Sequence, residues 1–525
     1  MTGAPSTAPR PPQTDPAVPA RGPIGSRWTA PGLVALATVL VHAATNGRYG
    51  FFRDELYFIA CGRHPSWGYV DQPPLAPLIS AASMWLSGPD RLWLYRMPAA
   101  LGHGGLVLLT GLFARRLGGG TFASVVAALG SAFAPLLLVH GHILSMNSFE
   151  ALLVLSVVTC AVAILDGGDR RLWLLAGALI GVGLLNKHSM VFFAASSLLA
   201  LAILPTRREL RSRWTALGAA AALLIALPHA VWQLRAGLPM LELLRNGQLY
   251  KNAPFELATF LKGQFVEMNP IVSLIWLSGL LWLLLAGEAR RHRFVGVMYL
   301  LVLALMAAMR AKVYYVAPAY PMLIAAGGVC WEKLARPLWA RLSAIAAVAA
   351  AGLAIAPIVI PMLTPPQLIR WQDAIGIRPA RLERHQDGPL TQHFADQFGW
   401  ERMVERIAAV WNALPPEDRA HGTLFVTNYG EAAALDLFGP RLGLPPASSG
   451  HNQYFLWGPH GEGQPLLQLD RPDERARQLC ASLEPHGTAG RDPLAMPYEN
   501  DREIWICRGL KAPFSQVWPH AKHYE

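Results

Sequence analysis

Apolar residues gather along this chain in long blocks, with no sustained period of two. Eleven blocks can be counted, at about 28–47, 97–114, 121–139, 148–165, 172–186, 188–206, 214–234, 268–287, 294–309, 313–331 and 342–363. Crossing the hydrocarbon core takes roughly 17–25 apolar residues in a helix. The pattern therefore predicts a multi-span α-helical membrane protein with about 11 transmembrane helices, and the short fifth and ninth blocks leave that number open by about two. Past residue 363 the pattern changes to a polar stretch rich in Pro and Gly. It holds strand-like runs at Thr423-Leu424-Phe425-Val426-Thr427 and Ile504-Trp505-Ile506-Cys507. The first run leads through Asn428-Tyr429-Gly430 into a helical stretch, Glu431-Ala432-Ala433-Ala434-Leu435. The predicted organisation is a tail at 1–26, a membrane domain at 27–363 and a C-terminal α/β domain at 364–525. The tail is rich in Pro, Ala, Thr and Arg and lacks an apolar centre, so it reads as disordered and not as a cleaved signal.

Composition agrees with a membrane location. Of 525 residues, 53% are hydrophobic and 15% charged, against about 25% charged in soluble domains. A net charge of +11 would suit nucleic acid if it were gathered in a patch. It is spread instead over short Arg-rich loops, which positive-inside topology explains with no nucleic acid. Arg115-Arg116, Arg170-Arg171, Arg207 to Arg213, Arg290 to Arg293 and Lys333 to Arg341 fall on one side, with the tail. Taken as the cytoplasm of a multi-pass inner-membrane protein, that side leaves the other to receive the 46–96 loop, His140–Asn147, Lys187, the 235–267 loop and Arg310–Tyr315. Residues 364–525 follow to the extracytoplasmic face. The five cysteines show no metal spacing; Cys480 and Cys507 share the outer domain, where spacing alone leaves pairing open.

Candidate chemistry concentrates on the outer side. Arg53-Asp54-Glu55-Leu56-Tyr57-Phe58 follows the first apolar block almost at once, and acids beside a span are costly without a function. Its aromatic flanks suggest a helix lying in the membrane interface. Asp71-Gln72-Pro73-Pro74-Leu75 comes next, with tandem prolines that can aim the side chains before them. Lys187, His188, Glu267, Lys312 and Tyr315 stand with other polar residues at span ends on this same side. Lys187, between two tightly joined spans, calls for an anionic partner: a phosphate, Asp54 or Glu55. His140-Gly141-His142 is at most half a metal site, so the residues name no particular cofactor and a divalent cation stays open. Asn428-Tyr429-Gly430-Glu431, at a strand-to-helix turn, could hold an anion or sugar hydroxyl, or cap its helix.

These motifs resemble the bacterial members of the dolichyl-phosphate-mannose protein mannosyltransferase family and the similar lipid A aminoarabinose transferases of the GT-C fold. The resemblance rests on Arg53–Phe58, Asp71–Leu75, Gly183-Leu184-Leu185-Asn186-Lys187-His188 and Tyr314-Tyr315 to Tyr320-Pro321. It implies transfer of a sugar from a polyprenyl-phosphate carrier to an envelope acceptor (lipid, glycan or protein) on the extracytoplasmic face, with Asp54 as the acid of the first outer loop. One departure stands out: Gln72 occupies the place where relatives that modify lipid A carry a lysine.

The reaction needs a carboxylate to activate the acceptor hydroxyl and fixed cations where the phosphate leaves. The expected roles are Asp54 as base, Glu55 and Asp71 in positioning, and Lys187 with Arg53 or Lys312 on the phosphate; Gln72, His188, Tyr315 and Glu267 complete the substrate surface. A transporter or flippase of lipid-linked sugars would place its charges at the midplane between related halves. A polymerase or ligase of lipid-linked glycans would use similar donors.

Overall fold

The computed structural model describes residues 24–251, 254–376, 388–472 and 474–525. The expected tail lies outside them up to residue 23, and the first helix, Ile24–Thr45, begins within its predicted range. All eleven apolar blocks are helical. Among the described residues seven helices are long and apolar enough to cross a membrane, or up to ten if each of three bent pairs is one span. The bends follow from backbone chemistry. Thr121–Phe133 and Pro135–His142 meet at 64°, because Pro135 has no N–H to continue the first helix but a φ suited to begin the next. Leu257–Val266 and Pro270–Leu285 meet at 103° across Asn269, whose φ is +67° and whose side chain accepts from Ile271 N.

The polar connections sort into two ends. At one, Arg116 pairs with Asp166, His292 with Asp166 and Arg170 with Glu209. At the other, Asn186 Nδ2 donates to Met146 O, His229 Nδ1 lies 2.9 Å from Trp67 O, Gln233 Nε2 donates to Tyr69 O, and Gln264 Nε2 donates to Val313 O. The loops expected on one side thus touch one another.

The C-terminal domain is built on five strands: β1 (Thr423–Val426), β2 (Ala447–Ser449), β3 (Leu466–Leu469), β4 (Cys480–Thr488) and β5 (Glu503–Leu510). Their order is β2-β1-β3-β5-β4. β1 runs parallel to β2 and β3, and β5 is antiparallel to β3 and β4. Both expected strand runs are strands, and the expected helix lies within Tyr429–Phe438. Cys480 and Cys507 form a disulfide between β4 and β5.

The 46–96 loop is no solvated excursion. It forms three helices, Arg53–Arg63, Leu75–Ser87 and Leu92–Tyr95. Leu56, Tyr57, Ile59, Ala60 and Cys61 of the first share one apolar core with Val404, Ile407, Leu424, Val426, Leu435 and Ile506 of the C-terminal domain. This corrects the expectation of an interfacial helix at Arg53–Phe58: every residue from Glu55 to Cys61 is buried. The large aromatic side chains turned outward in this loop are Trp67, Trp85 and Trp93, of which Trp85 is 84% exposed.

Candidate active site

Asp54 and Glu55 occupy the second and third positions of the Arg53–Arg63 helix. Helix N-termini favour acids, because unpaired N–H groups and the macrodipole are positive there. The two neighbours point apart and have different fates. Glu55 is fully buried. Oε2 accepts from Phe52 N at 2.9 Å and from Arg96 Nη2 at 2.7 Å; Oε1 accepts from Arg96 Nε and Leu144 N, both at 2.9 Å. Arg96, itself fully buried, also donates to Asn46 O and Gly50 O. A carboxylate so enclosed is a framework anion, holding the helix start to the membrane domain, and does not reach a substrate.

Asp54 turns the other way. Its side chain is 38% exposed. Oδ1 accepts the Tyr429 hydroxyl at 2.8 Å, and Oδ2 has no hydrogen-bond partner among the described residues. A second tyrosine repeats the arrangement: Tyr57 O–H donates to Asp71 Oδ1 at 3.0 Å, with its ring 4.6 Å from that of Tyr429. Asn452 Nδ2 adds a donor to Asp71 Oδ2 at 3.4 Å. Two packed phenols thus deliver two O–H groups to two acids. Burial raises both phenols well above their ordinary range, so they stay protonated donors.

Other expected residues are distributed around this pair. Arg53 Nη1 donates to Tyr498 O–H at 2.7 Å, Nη2 lies 3.7 Å from Asp396, and the guanidinium sits over the Tyr429 ring. It is tied to the C-terminal domain. Gln72 is buried and turned inward, its Nε2 3.7 Å from Cys61 Sγ, which corrects its expected place on the substrate surface. Lys187 forms a second centre. Its ammonium donates to Glu150 Oε2 at 2.8 Å and Asn147 Oδ1 at 2.7 Å, over the rings of Tyr315 (4.7 Å) and Tyr314 (5.5 Å). The anion it required is Glu150, which also accepts from Ser189, and not Asp54 or Glu55. His188 Nε2 lies 2.9 Å from His229 Nε2. Lys312 is the N-cap of the Val313–Ala319 turn that carries both tyrosines, and Glu267 stands at the bend before Pro270. One loop joins the centres: Leu144 N binds Glu55, and Asn147, three residues on, binds Lys187.

His142 is used structurally, with Nδ1 2.9 Å from Asn46 Oδ1 and Nε2 3.3 Å from Arg96. No group of three or more His, Cys, Asp or Glu among the described residues could hold a metal. At Asn428–Glu431 the cap reading holds: Asn428 Oδ1 accepts from Glu431 N, and Glu431 Oε2 accepts from Asn428 N and Thr427 N. Those N–H groups are occupied, and what the turn offers the site is Tyr429. Arg96 and Glu150 do not figure among the residues singled out from the sequence, and Tyr57 and Tyr429 figure there only within their motifs, not as partners of the two acids. A glutamate at the third helical position ahead of an apolar run is a capping signal, and it could have separated Glu55 from Asp54.

This arrangement of bent apolar helices, a structured first polar loop and a small C-terminal sheet is a GT-C-type fold. Within it, residues 71–232 match the family model described as dolichyl-phosphate-mannose-protein mannosyltransferase, in line with the resemblance carried by the motifs. A curated relative, the lipid A galacturonosyltransferase RgtD of Rhizobium johnstonii, is 24% identical over 193 residues, which is 35% of this chain and 39% of the relative. The chain thus matches about two-fifths of that protein's length. Among solved structures, ArnT from Cupriavidus metallidurans, known in the apo state and bound to undecaprenyl phosphate, superposes with TM-score 0.60 at 16% identity, over 90% of this chain and 97% of that one. The arabinofuranosyltransferase AftD from Mycobacteria gives TM-score 0.50 at 14% identity, over 92% of this chain and 40% of its own.

Proposed function

We propose that this protein is an integral membrane glycosyltransferase that moves a sugar from a polyprenyl-phosphate carrier to an envelope acceptor on the extracytoplasmic face of the inner membrane. The observation that carries the reading is the Asp54 carboxylate, half-exposed, anchored through one oxygen by Tyr429 and open at the other. An oxygen so held can take the proton of an acceptor hydroxyl as that hydroxyl attacks the anomeric carbon. The C–O bond to the lipid phosphate then breaks, and the phosphate leaves as an anion without a general acid. Asp71, fixed by Tyr57 and Asn452, is the positioning acid.

On the phosphate side, an ammonium has three donors. Lys187 commits two, to Glu150 and Asn147, which leaves one for a phosphate oxygen. Lys312 and Tyr315, on the turn packed against it, complete that side. Glu267 and His188 border the substrate surface. The sidedness rests on the basic loops gathered at the opposite end and on the Cys480–Cys507 disulfide, a bond that persists in oxidising compartments. A likeness to ArnT bound to undecaprenyl phosphate supports the carrier class.

The test is transfer from polyprenyl-phosphate sugars in membranes bearing Asp54→Asn. Loss of the base should lower turnover by about 10²–10⁴-fold at unchanged membrane insertion. Wild-type turnover in an inserted variant would overturn the assignment. Mass spectrometry of envelope glycolipids and glycoproteins from deletion and wild-type cells would identify sugar and acceptor by the missing increment.

A further inference from the structure

The Lys522–Glu525 segment crosses from the Asp71 cluster to the helix Pro239–Asn246. It enters alongside Gly450–Asn452: His523 N donates to Gly450 O at 3.0 Å and Asn452 N to His523 O at 3.1 Å. The approach is so close that a Cβ on Gly450 would stand 1.7 Å from Ala521 O. The segment then closes a ring on Asn452. Glu525 N donates to Asn452 Oδ1, and Asn452 Nδ2 donates to Glu525 O, both at 3.1 Å. The second proton of that amide is the one aimed at Asp71 Oδ2.

His451 is locked by the same contacts. Its Nδ1 accepts from Tyr429 N at 3.3 Å, so its proton sits on Nε2, 3.2 Å from Glu525 O. Its ring lies between those of Tyr429 (4.7 Å) and His523 (4.5 Å). On its other side the segment grips the membrane domain. Lys522 Nζ binds Glu242 Oε2 at 2.7 Å, and Asn246 Nδ2 donates to Tyr524 O at 2.9 Å.

We infer that Lys522–Glu525, acting through Asn452, positions Asp71 and couples its placement to the helix Pro239–Asn246. The inference rests on the reading of Asp71 as a site residue. Asn452 needs the help: its φ of +47° is a conformation that side-chain-bearing residues adopt only when their surroundings impose it. The paired amide bonds to Glu525 are those surroundings, and they also fix which way the Asn452 N–H₂ points. Without them Asp71 keeps the Tyr57 phenol and loses the Asn452 donor. The titratable groups facing Asp71 include Tyr57, Cys61 and Tyr429, all raised well above their ordinary values by burial. None of them titrates below neutrality, which leaves the acid limb of a pH profile to the carboxylates Asp54 and Asp71, and Asp71→Asn tells the two apart.

The full-length chain is compared with Asn452→Asp, Asn452→Ser and a chain stopped after Ala521, each first checked for membrane insertion. Rates are read against pH, using the polyprenyl-phosphate sugar that supports wild-type transfer, and Asp71→Asn is run alongside. In Asn452→Asp a donor becomes a like charge, so the acid limb of kcat/KM should rise by about one pH unit or more. The shortened chain should move it the same way by less. Hydrogen–deuterium exchange, run without substrate, should quicken at residues 69–73, which the segment reaches through Asn452, and at 239–246.

A limb that stays at its wild-type position in every inserted variant would overturn the positioning role. Unchanged exchange at 69–73 in the shortened chain would overturn the coupling. Should Asp71→Asn itself leave rate and profile intact, the reading of Asp71 fails, while the exchange result still decides whether the segment holds that loop. If Asn452→Asp does not insert, the milder Asn452→Ser carries the comparison.

Discussion

Two adjacent acids, Asp54 and Glu55, look equivalent as letters and differ completely as charges. A buried carboxylate is tolerated only when its partners replace water, and Glu55 has four donors from Phe52, Leu144 and Arg96. Removing one member of such a buried pair leaves the other uncompensated, at a cost of about 3–5 kcal/mol. Glu55→Gln and Arg96→Met should each lower the thermal midpoint of the solubilised protein substantially. The double variant should lose less than the sum of the two, because it leaves no charge stranded. A catalytic role for Glu55 would appear differently, as lost turnover in a protein of normal stability. The motif was visible in the sequence. The division of labour inside it was not, since Arg96 lies 41 positions away and nothing local marks it as the partner.

Between elements, the decisive contact is that of the helix Tyr429–Phe438 against Arg53–Arg63. Gly430 makes it possible: a Cβ there would stand 2.5 Å from Arg53 Cγ. That atom is near the backbone and cannot swing aside as a side-chain tip would. Gly430→Ala should therefore cost about 1–3 kcal/mol of stability through overpacking. It should also lower transfer, since the same shift draws the Tyr429 hydroxyl from Asp54. Melting and initial rates measured on one preparation check both. At this scale the sequence was informative. The apolar blocks located every long helix, and the β1 and β5 runs were found as strands. The interruptions were less legible: Pro135 stands within a block read as continuous, because hydropathy averages across a proline that hydrogen bonding cannot cross. The inward burial of Arg53–Arg63 was also missed. Its aromatic and aliphatic residues suit a bilayer edge as well as a protein core, and composition cannot separate the two.

For the molecule as a whole, acidity should act through the C-terminal domain. Glu499 is held at about 8, first by burial and then by the negative charge of Glu431. A carboxyl raised in the folded state binds its proton more tightly there than in the unfolded chain. Its contribution to stability is complete below the unfolded value, about 4.3, and is lost as pH rises through about 8. Between about pH 5 and pH 8 the midpoint of domain unfolding should fall, and Glu499→Gln should flatten that slope. A slope unchanged in the variant would assign the dependence to another group.

The core shared by Arg53–Arg63 and the C-terminal sheet has a consequence for how this protein is made. Asp54 and Tyr429 are separated by 375 positions, so the ribosome releases the early helix long before the strands that cover it exist. Until then Leu56, Ile59 and Cys61 lack the part of their core that the C-terminal domain supplies, and the candidate base stands in the wrong surroundings. Maturation is therefore a late event, decided when the sheet folds down onto a helix already waiting at the membrane. A chain interrupted between residue 363 and β5 would keep all its apolar helices and still lack an assembled centre. Bringing the C-terminal domain to the membrane half as a separate polypeptide would, on the same reasoning, be a way to switch assembly on.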